Sequence, residues 1–183
     1  MSSLRGHLLI ASPALGDPNF ARTVILIADH SPDGALGLVL NRPSEATVAE
    51  SVDVLRGIVD PGDAVFVGGP VQEEAVMVLG RFRDPAAAAV HVVGDIGLLG
   101  ADHALDAMPG EAVMVQARVF AGHSGWGPGQ LDAELAEGAW ITEPALPEEL
   151  FTAEPETLWA AALSRKGGPY ALLARMPEDP SVN

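Results

Sequence analysis

Ser124 follows a histidine and is framed by glycines in Gly122-His-Ser-Gly-Trp-Gly-Pro-Gly129, the most unusual stretch of the chain. A serine beside an imidazole poses the question of nucleophilic catalysis. The sharp elbow that presents such a serine needs the pattern Gly-x-Ser-x-Gly. Trp126 stands where the second glycine belongs, so the pattern fails by one position. Two other readings remain for this stretch. Glycines permit positive φ and close backbone approach, and free amides at a following helix start can hold an anion. The plainer alternative is a tight Gly/Pro turn in which Trp126 plugs the core.

Other chemistries fail on residue type or spacing. The phosphate-loop pattern is absent, and the one lysine, Lys166, lies in Arg-Lys-Gly-Gly-Pro. Gly68-Gly69-Pro70 by itself reads as a turn. The five histidines (His7, His30, His91, His103, His123) form no His-x-His or His-x-x-x-His pair, and no metal site is assigned. The chain has no cysteine, which excludes disulfides, thiolate metal sites and cysteine nucleophiles. No catalytic residue and no cofactor is assigned. Gly16-Asp17-Pro-Asn-Phe20 with Arg22 combines a turn with charged groups, for which an Asp–Arg or Asp–backbone contact is the structural explanation. The functional alternative groups Asp17, Arg22, His30 and Asn41 with Gly125, Trp126, Gly127 and Gln130 as one ligand- or partner-binding surface. Arg22 and Asn41 would supply hydrogen bonds to a polar ligand or peptide, and the indole would supply contact area.

The elements that must position these groups are mostly strands. His7–Ala11 and Thr23–Ala28 are short apolar runs, the second β-branched and unbroken as in a strand covered on both faces. Ser31-Pro-Asp-Gly34 is a turn signal before the run Leu36–Leu40, which predicts a hairpin. Ala64–Val67 and Ala75–Leu79 flank Gly68-Gly69-Pro70 and suggest a second pair, with Val90–Val93 a further strand. Ala112–Ala121 alternates, with Val113, Val115, Ala117, Val119 and Ala121 on one face and Met114, Gln116, Arg118 and Phe120 on the other. Trp140–Thr142 is a last short strand. The glycine segment then falls between the alternating strand and a helix over Gln130–Glu137, where Leu131 and Leu135 lie four apart and Gly138 is the stop.

Further helices are read at Thr47-Val-Ala-Glu50, which fits a capping box ahead of Val52 and Leu55, and at His103–Met108. Glu156–Arg165 carries Leu158 with Ala162 and Trp159 with Leu163 at helical spacing, and Pro155 suits a first turn. Strands do not alternate with long helices, so a doubly wound parallel sheet is disfavoured. The expected architecture is one compact α+β domain over residues 1–183, a mixed and mostly antiparallel sheet with several short helices.

Composition bounds the partners. Of 183 residues, 48% are hydrophobic and 19% charged, enough apolar material for a packed core. Ten basic against 25 acidic residues give a net charge of −15, and Asp132 to Glu156 holds eight carboxylates and no basic residue. Duplex binding relies on Lys and Arg displacing counterions, so direct DNA binding is disfavoured by charge. No helix-turn-helix carrying basic residues is visible. The apolar run Leu8–Ala11 is too short for a signal h-region, and nowhere do 18 uninterrupted apolar residues occur. A cytoplasmic location without membrane contact is the expectation.

Several segments in order carry a family pattern. They are Gly6-His-Leu-Leu-Ile-Ala-Ser-Pro13, Asp17-Pro-Asn-Phe-Ala-Arg22-Thr-Val24, His30, and Gly34-Ala-Leu-Gly-Leu-Val-Leu-Asn41-Arg-Pro43. Gly68-Gly-Pro-Val71 and Gly125-Trp-Gly-Pro-Gly-Gln-Leu131 with Glu134 follow. This order resembles the AlgH/YqgE family across nearly the whole chain. The resemblance implies a single α+β domain of bacterial cytoplasmic proteins whose name derives from alginate regulation, hence a label of transcriptional regulator. One departure matters: relatives commonly read Gly-Tyr-Ala-Gly-Trp-Gly where this chain has His123 and Ser124. If relatives lack the hydroxyl, Ser124 is no shared nucleophile and His123 no shared base. The retained residues shape backbone, which favours a recognition surface. The resulting expectation is a regulatory or adaptor protein acting through contacts with a protein partner. The alternatives are an enzyme or small-ligand binder using Gly122–Gly129, and a transcriptional regulator.

Overall fold

A computed structural model describes residues 2–48, 58–99 and 114–178. Ten strands form one sheet: β1 (His7–Ala11), β2 (Val24–Ser31), β3 (Gly34–Val39), β4 (Pro43–Thr47), β5 (Ala64–Val67), β6 (Val71–Phe82), β7 (Val90–Val93), β8 (Ile96–Leu99), β9 (Met114–Trp126) and β10 (Trp140–Pro144). Their order is β10-β1-β2-β3-β9-β6-β8-β7, with β5 joining β4 to β9. Four short helices accompany it: α1 (Gln130–Ala136), α2 (Pro147–Leu150), α3 (Leu158–Lys166) and α4 (Pro169–Leu173). Among the described residues every ladder is antiparallel except β5 with β9. The α+β architecture with a mostly antiparallel sheet is therefore the observed one.

Side-chain alternation builds the core on both faces of the sheet. Leu8, Ile10, Val24, Leu26 and Leu38 face Phe66, Leu79 and Phe120, and the apolar stripe of α3 (Leu158, Trp159, Ala162, Leu163) closes over them. The opposite face of β1–β3 (Leu9, Ile25, Ile27, Val39) is covered by Trp126, Leu131 and Trp140. A third cluster gathers Val78, Phe82, Leu99, Met114 and Val119 on the outer face of β6, β8 and β9.

Three expectations change. Ala64–Val67 and the following strand are not partners: β5 pairs with β4 and β9, whereas β6 pairs with β8 and β9. The intervening Gly68-Gly69-Pro70 crosses β9 and does not reverse into a hairpin. The alternation of β9 also breaks near its start. Arg81 pairs with Gln116 but Phe82 with Met114, so Val115 is an extra residue on β9 and is 45% exposed. That bulge puts Met114 in the same cluster as Val119. Third, β9 continues to Trp126, so most of the glycine segment is strand. Strands β4 and β8 escaped the sequence reading, being polar and four residues long respectively. The helices read at Thr47–Glu50 and His103–Met108 lie largely or wholly outside the described residues.

The crossing explains the paired glycines. A Cβ on Gly69, whose φ is 153°, would sit 2.3 Å from the carbonyl carbon and oxygen of His123, and one on Gly68 would sit 2.3 Å from the Gly122 oxygen. Backbone cannot yield as a flexible side chain can. Gly69→Ala is therefore expected to cost about 3 kcal/mol of unfolding free energy. Gly16→Ala, where a Cβ meets nothing within 4 Å, should stay within about 1 kcal/mol. Paired denaturant titrations measure the difference.

Candidate functional site

Ser124 is fully buried. It lies opposite Gly37 in the β3–β9 ladder, and its hydroxyl donates to the Gly68 carbonyl at 3.2 Å. The same carbonyl accepts the Val39 amide at 2.9 Å. A hydroxyl enclosed in this way ties the crossing together and presents no oxygen to solvent. His123 points to the other face of the strand, and burial holds its imidazole below the ordinary histidine value.

Trp126 is 6% exposed and belongs to the core with Trp140, at 6.2 Å between ring centroids and 78° between planes. Both indoles donate to one oxygen: Trp126 Nε1 to Glu134 Oε2 at 2.9 Å and Trp140 Nε1 to the same atom at 2.7 Å. Glu134 Oε1 accepts Gln130 Nε2 at 3.0 Å, and Gln130 Oε1 accepts the Gly127 amide at 3.1 Å. Trp126, Gly127 and Gln130 thus anchor α1 to the end of β9. Gly125 and Gly127 remain exposed beside them.

The Asp17–Arg22 segment is held from within. Asp17 Oδ1 accepts the Asn19 amide at 2.9 Å and the Asp17 carbonyl accepts Phe20 and Ala21 amides, which is the Asp–backbone alternative. Asn41 bridges two positions of the neighbouring chain, donating to the Arg22 carbonyl and accepting the Val24 amide, each at 2.9 Å. Arg42 Nη2 reaches the carbonyls of Pro18 and Ala21, both at 3.1 Å. Under this restraint Arg22 takes a φ of 55°, a left-handed conformation costly for a large side chain. Its guanidinium stacks 4.0 Å above the Trp159 ring centroid and donates to the Met176 carbonyl at 3.0 Å.

The residues expected to share one surface divide between two concavities. Arg22 and Asn41 line a cleft of about 410 Å³ with Arg42, Glu156, Trp159 and Glu178. His30 lines another of about 440 Å³ with Ser3, Gly129 and Asp132. There His30 Nδ1 accepts the Leu4 amide at 3.0 Å. Asp17 is exposed on its own turn.

A third cleft, of about 460 Å³, lies where β5 and β9 meet the connection after α2. Its cation is Arg118, with the guanidinium 4.3 Å above the Phe66 ring centroid and Nη2 donating to the Thr152 carbonyl at 2.6 Å. Nη1 is buried and has no hydrogen-bond partner among the described residues. Burial lowers the Arg118 pKa from the usual arginine value, and the charge of Asp63 partly restores it. The only signal for this residue in the sequence is an arginine interrupting an apolar alternation. Arg42 had a comparable signal, adjacent to Asn41 in the family pattern. Among the described residues, no group of three His, Asp or Glu side chains is arranged to hold a metal ion.

Two outcomes follow from this geometry. Glu134→Leu leaves two indole N–H groups without an acceptor and should lower stability by about 3 kcal/mol, with a shift in tryptophan emission. His123 titrates in the opposite sense to a paired histidine. Its folded pKa is depressed, so the unfolded chain takes up the proton first as pH falls through about 6.5. Stability from this group is intact above that pH and lost below it. His123→Gln should therefore gain thermal stability relative to the parent at pH 5.5 but not at pH 7.5.

Comparison with known proteins places this geometry. The family model described as AlgH-like matches residues 8–171. The chain is 43% identical to a UPF0301 protein of Streptomyces avermitilis, covering 100% of this chain and 97% of that protein. It is 39% identical to one of Chlorobaculum tepidum, covering 97% and 95%. Among solved structures it is similar to a crystal structure from Corynebacterium diphtheriae, with TM-score 0.84, 26% identity, and coverage of 96% and 94%. It is also similar to the solution structure of the AlgH protein from Pseudomonas aeruginosa, with TM-score 0.68, 33% identity, and coverage of 97% and 96%. Sequence order, sheet topology and family model agree: the chain belongs to the AlgH-like, UPF0301 family.

Proposed function

We propose that this chain is a cytoplasmic regulatory or adaptor protein that acts through protein contacts, taking a partner segment in the cleft of Arg22, Arg42 and Trp159. The carrying observation is the restrained left-handed backbone at Arg22. A conformation of this kind costs of order 1–3 kcal/mol and persists where its surroundings over-determine it. Here the restraint sets a guanidinium on an indole before any partner arrives, which reduces the ordering cost of binding.

The lining suits polypeptide. Arg22 and Arg42 spend some of their donors on backbone carbonyls and keep others for a visitor, since each guanidinium has five N–H groups. Glu156 and Glu178 line the same cleft. Cation and carboxylate side by side complement a segment bearing both signs of charge, and the Trp159 face gives it an apolar floor. Duplex DNA, uniformly negative, is a poorer match to this lining and to a chain of net charge −15.

The test uses a photo-reactive phenylalanine at Ala160, which lines the cleft, and a control at exposed Arg83. Arg22→Gly removes the guanidinium while accepting the positive φ. Cross-linking in native cells should give a discrete partner band from position 160, absent from position 83. The band should fall about tenfold in Arg22→Gly, with the melting temperature within a few degrees of the parent. Asn41→Ala should lower the melting temperature through the two backbone groups it releases. Equal cross-linking from both positions, or a band unaffected by Arg22→Gly, would show that this cleft is not the docking site.

A further inference from the structure

The Arg118 cleft is separate from the Arg22 cleft and shares no lining residue with it. Its cation is unusually placed. No carboxylate among the described residues makes an ion pair with Arg118; the cations that do pair there are Arg81, Arg165 and Lys166. Asp63 acts on it only as a nearby charge. That carboxylate is exposed, and its Oδ2 already accepts the Asp60 amide at 3.2 Å. One amino group of Arg118, Nη1, is buried and meets no acceptor among the described residues. Leaving a buried charged donor without a partner is costly, so an acceptor that reaches Nη1 displaces no described protein group from that nitrogen.

We infer that this cleft is a binding site for a carboxylate carried on an apolar body. The guanidinium is a planar fork whose geometry matches a carboxylate in two parallel hydrogen bonds. Ile58, Val59, Phe66, Val119 and Phe151 furnish apolar wall on either side of it. The volume of about 460 Å³ lies within the range of roughly 300–1,000 Å³ usual for small-ligand sites. A phosphate calls for more donors than this lining offers, because Arg118 is the only cation among the described residues that form it. A singly charged group fits the one fork.

Full engagement requires Arg118 to release the Thr152 carbonyl, which frees Nη2 beside Nη1. Thr152 lies in the irregular connection between α2 and the turn at Pro155. A second concavity shares Gln116, Phe151, Thr152 and Ala153 with the first and continues to Arg81 and Glu148. The apolar body packs on the wall beside Arg118, and a polar distal end of a longer ligand has room to extend along that line. The carboxylate can belong to a free organic acid or to the C-terminus of a peptide, which have the same recognition chemistry.

The full chain would be titrated with hexanoate while NMR follows the Arg118 Nε–H and the amides of Phe66 and Thr152. Saturable shifts are expected, with the neutral isostere hexanamide at least roughly tenfold weaker. Arg118→Gln should abolish them and Arg118→Lys, a charge without the fork, should weaken them severalfold. Asp63→Asn should tighten hexanoate by removing a repelling charge from the cleft lining while keeping an acceptor for Asp60. An acetylated leucine dipeptide with a free C-terminus is the second arm: binding tighter than hexanoate assigns the site to a chain terminus, weaker binding to a free acid. A thermal melt establishes folding of each variant, and if Arg118→Gln does not fold, the Lys and Asn variants carry the comparison. The inference is overturned by hexanamide binding as well as hexanoate, by folded Arg118 variants binding unchanged, or by no saturable shift with either carboxylate.

Discussion

Two backbones pass each other without side chains where Gly68 and Gly69 cross Gly122 and His123, and the sheet depends on that approach. At this point β9 exchanges neighbours, from β5 at Phe120 and Ala121 to β3 at Ser124, Gly125 and Trp126. Gly68 joins the strands on both sides, donating to the Ala121 carbonyl and accepting the Val39 amide and the Ser124 hydroxyl. Any Cβ on Gly68 or Gly69 would overlap backbone atoms. Because the approach is permitted, a single 13-residue strand can unite the β1–β3 layer with the β6–β8 layer. The three core clusters then form around one continuous sheet.

The handling of positive charge follows from the composition. With 10 basic and 25 acidic residues carboxylates outnumber cations, yet three arginines turn to backbone carbonyls. Arg22 meets Met176, Arg42 meets Pro18 and Ala21, and Arg118 meets Thr152. A carbonyl satisfies a donor without cancelling the charge, so each of these clefts retains a positive centre in an otherwise negative molecule. Arg165 and Lys166 also donate to carbonyls, of Pro144 and Thr142, but add carboxylate partners. They pair with Glu143 and Glu149 and fasten the end of α3 to β10 and α2. Partly exposed pairs of this kind contribute little individually, and their effect is mainly to fix orientation.

Much of the family pattern is spent on scaffold. Asn41 supports the backbone at Arg22, Gln130 and Glu134 hold two indoles and a turn, and Ser124 secures the crossing. The polar residues that draw attention in the sequence are those whose side chains replace missing backbone partners. The groups left with spare hydrogen-bonding capacity are the arginines they position.

Local physics made much of the fold legible in the sequence. The run at His7–Ala11, the hairpin around Ser31–Gly34 and the amphipathic stripes of α1 and α3 depend on near-neighbour rules: alternation, turn chemistry and helical spacing. Charge and composition likewise needed no coordinates. The partner of each strand was not legible, because register is a long-range choice: β5 and β6 look like a hairpin but are separated by a crossing that only a third strand, β9, explains. The Val115 bulge was hidden for the same reason, as it exists only relative to Arg81 and Phe82. The candidate site divided on the same principle. Arg22 and Asn41 share a cleft because a side chain from position 41 returns to position 22, whereas His30 leaves along β2 to another face. Arg118 became visible only when folding buried its guanidinium against Phe66 and left one nitrogen without a partner among the described residues, since burial is a property of the packed chain and not of the residue.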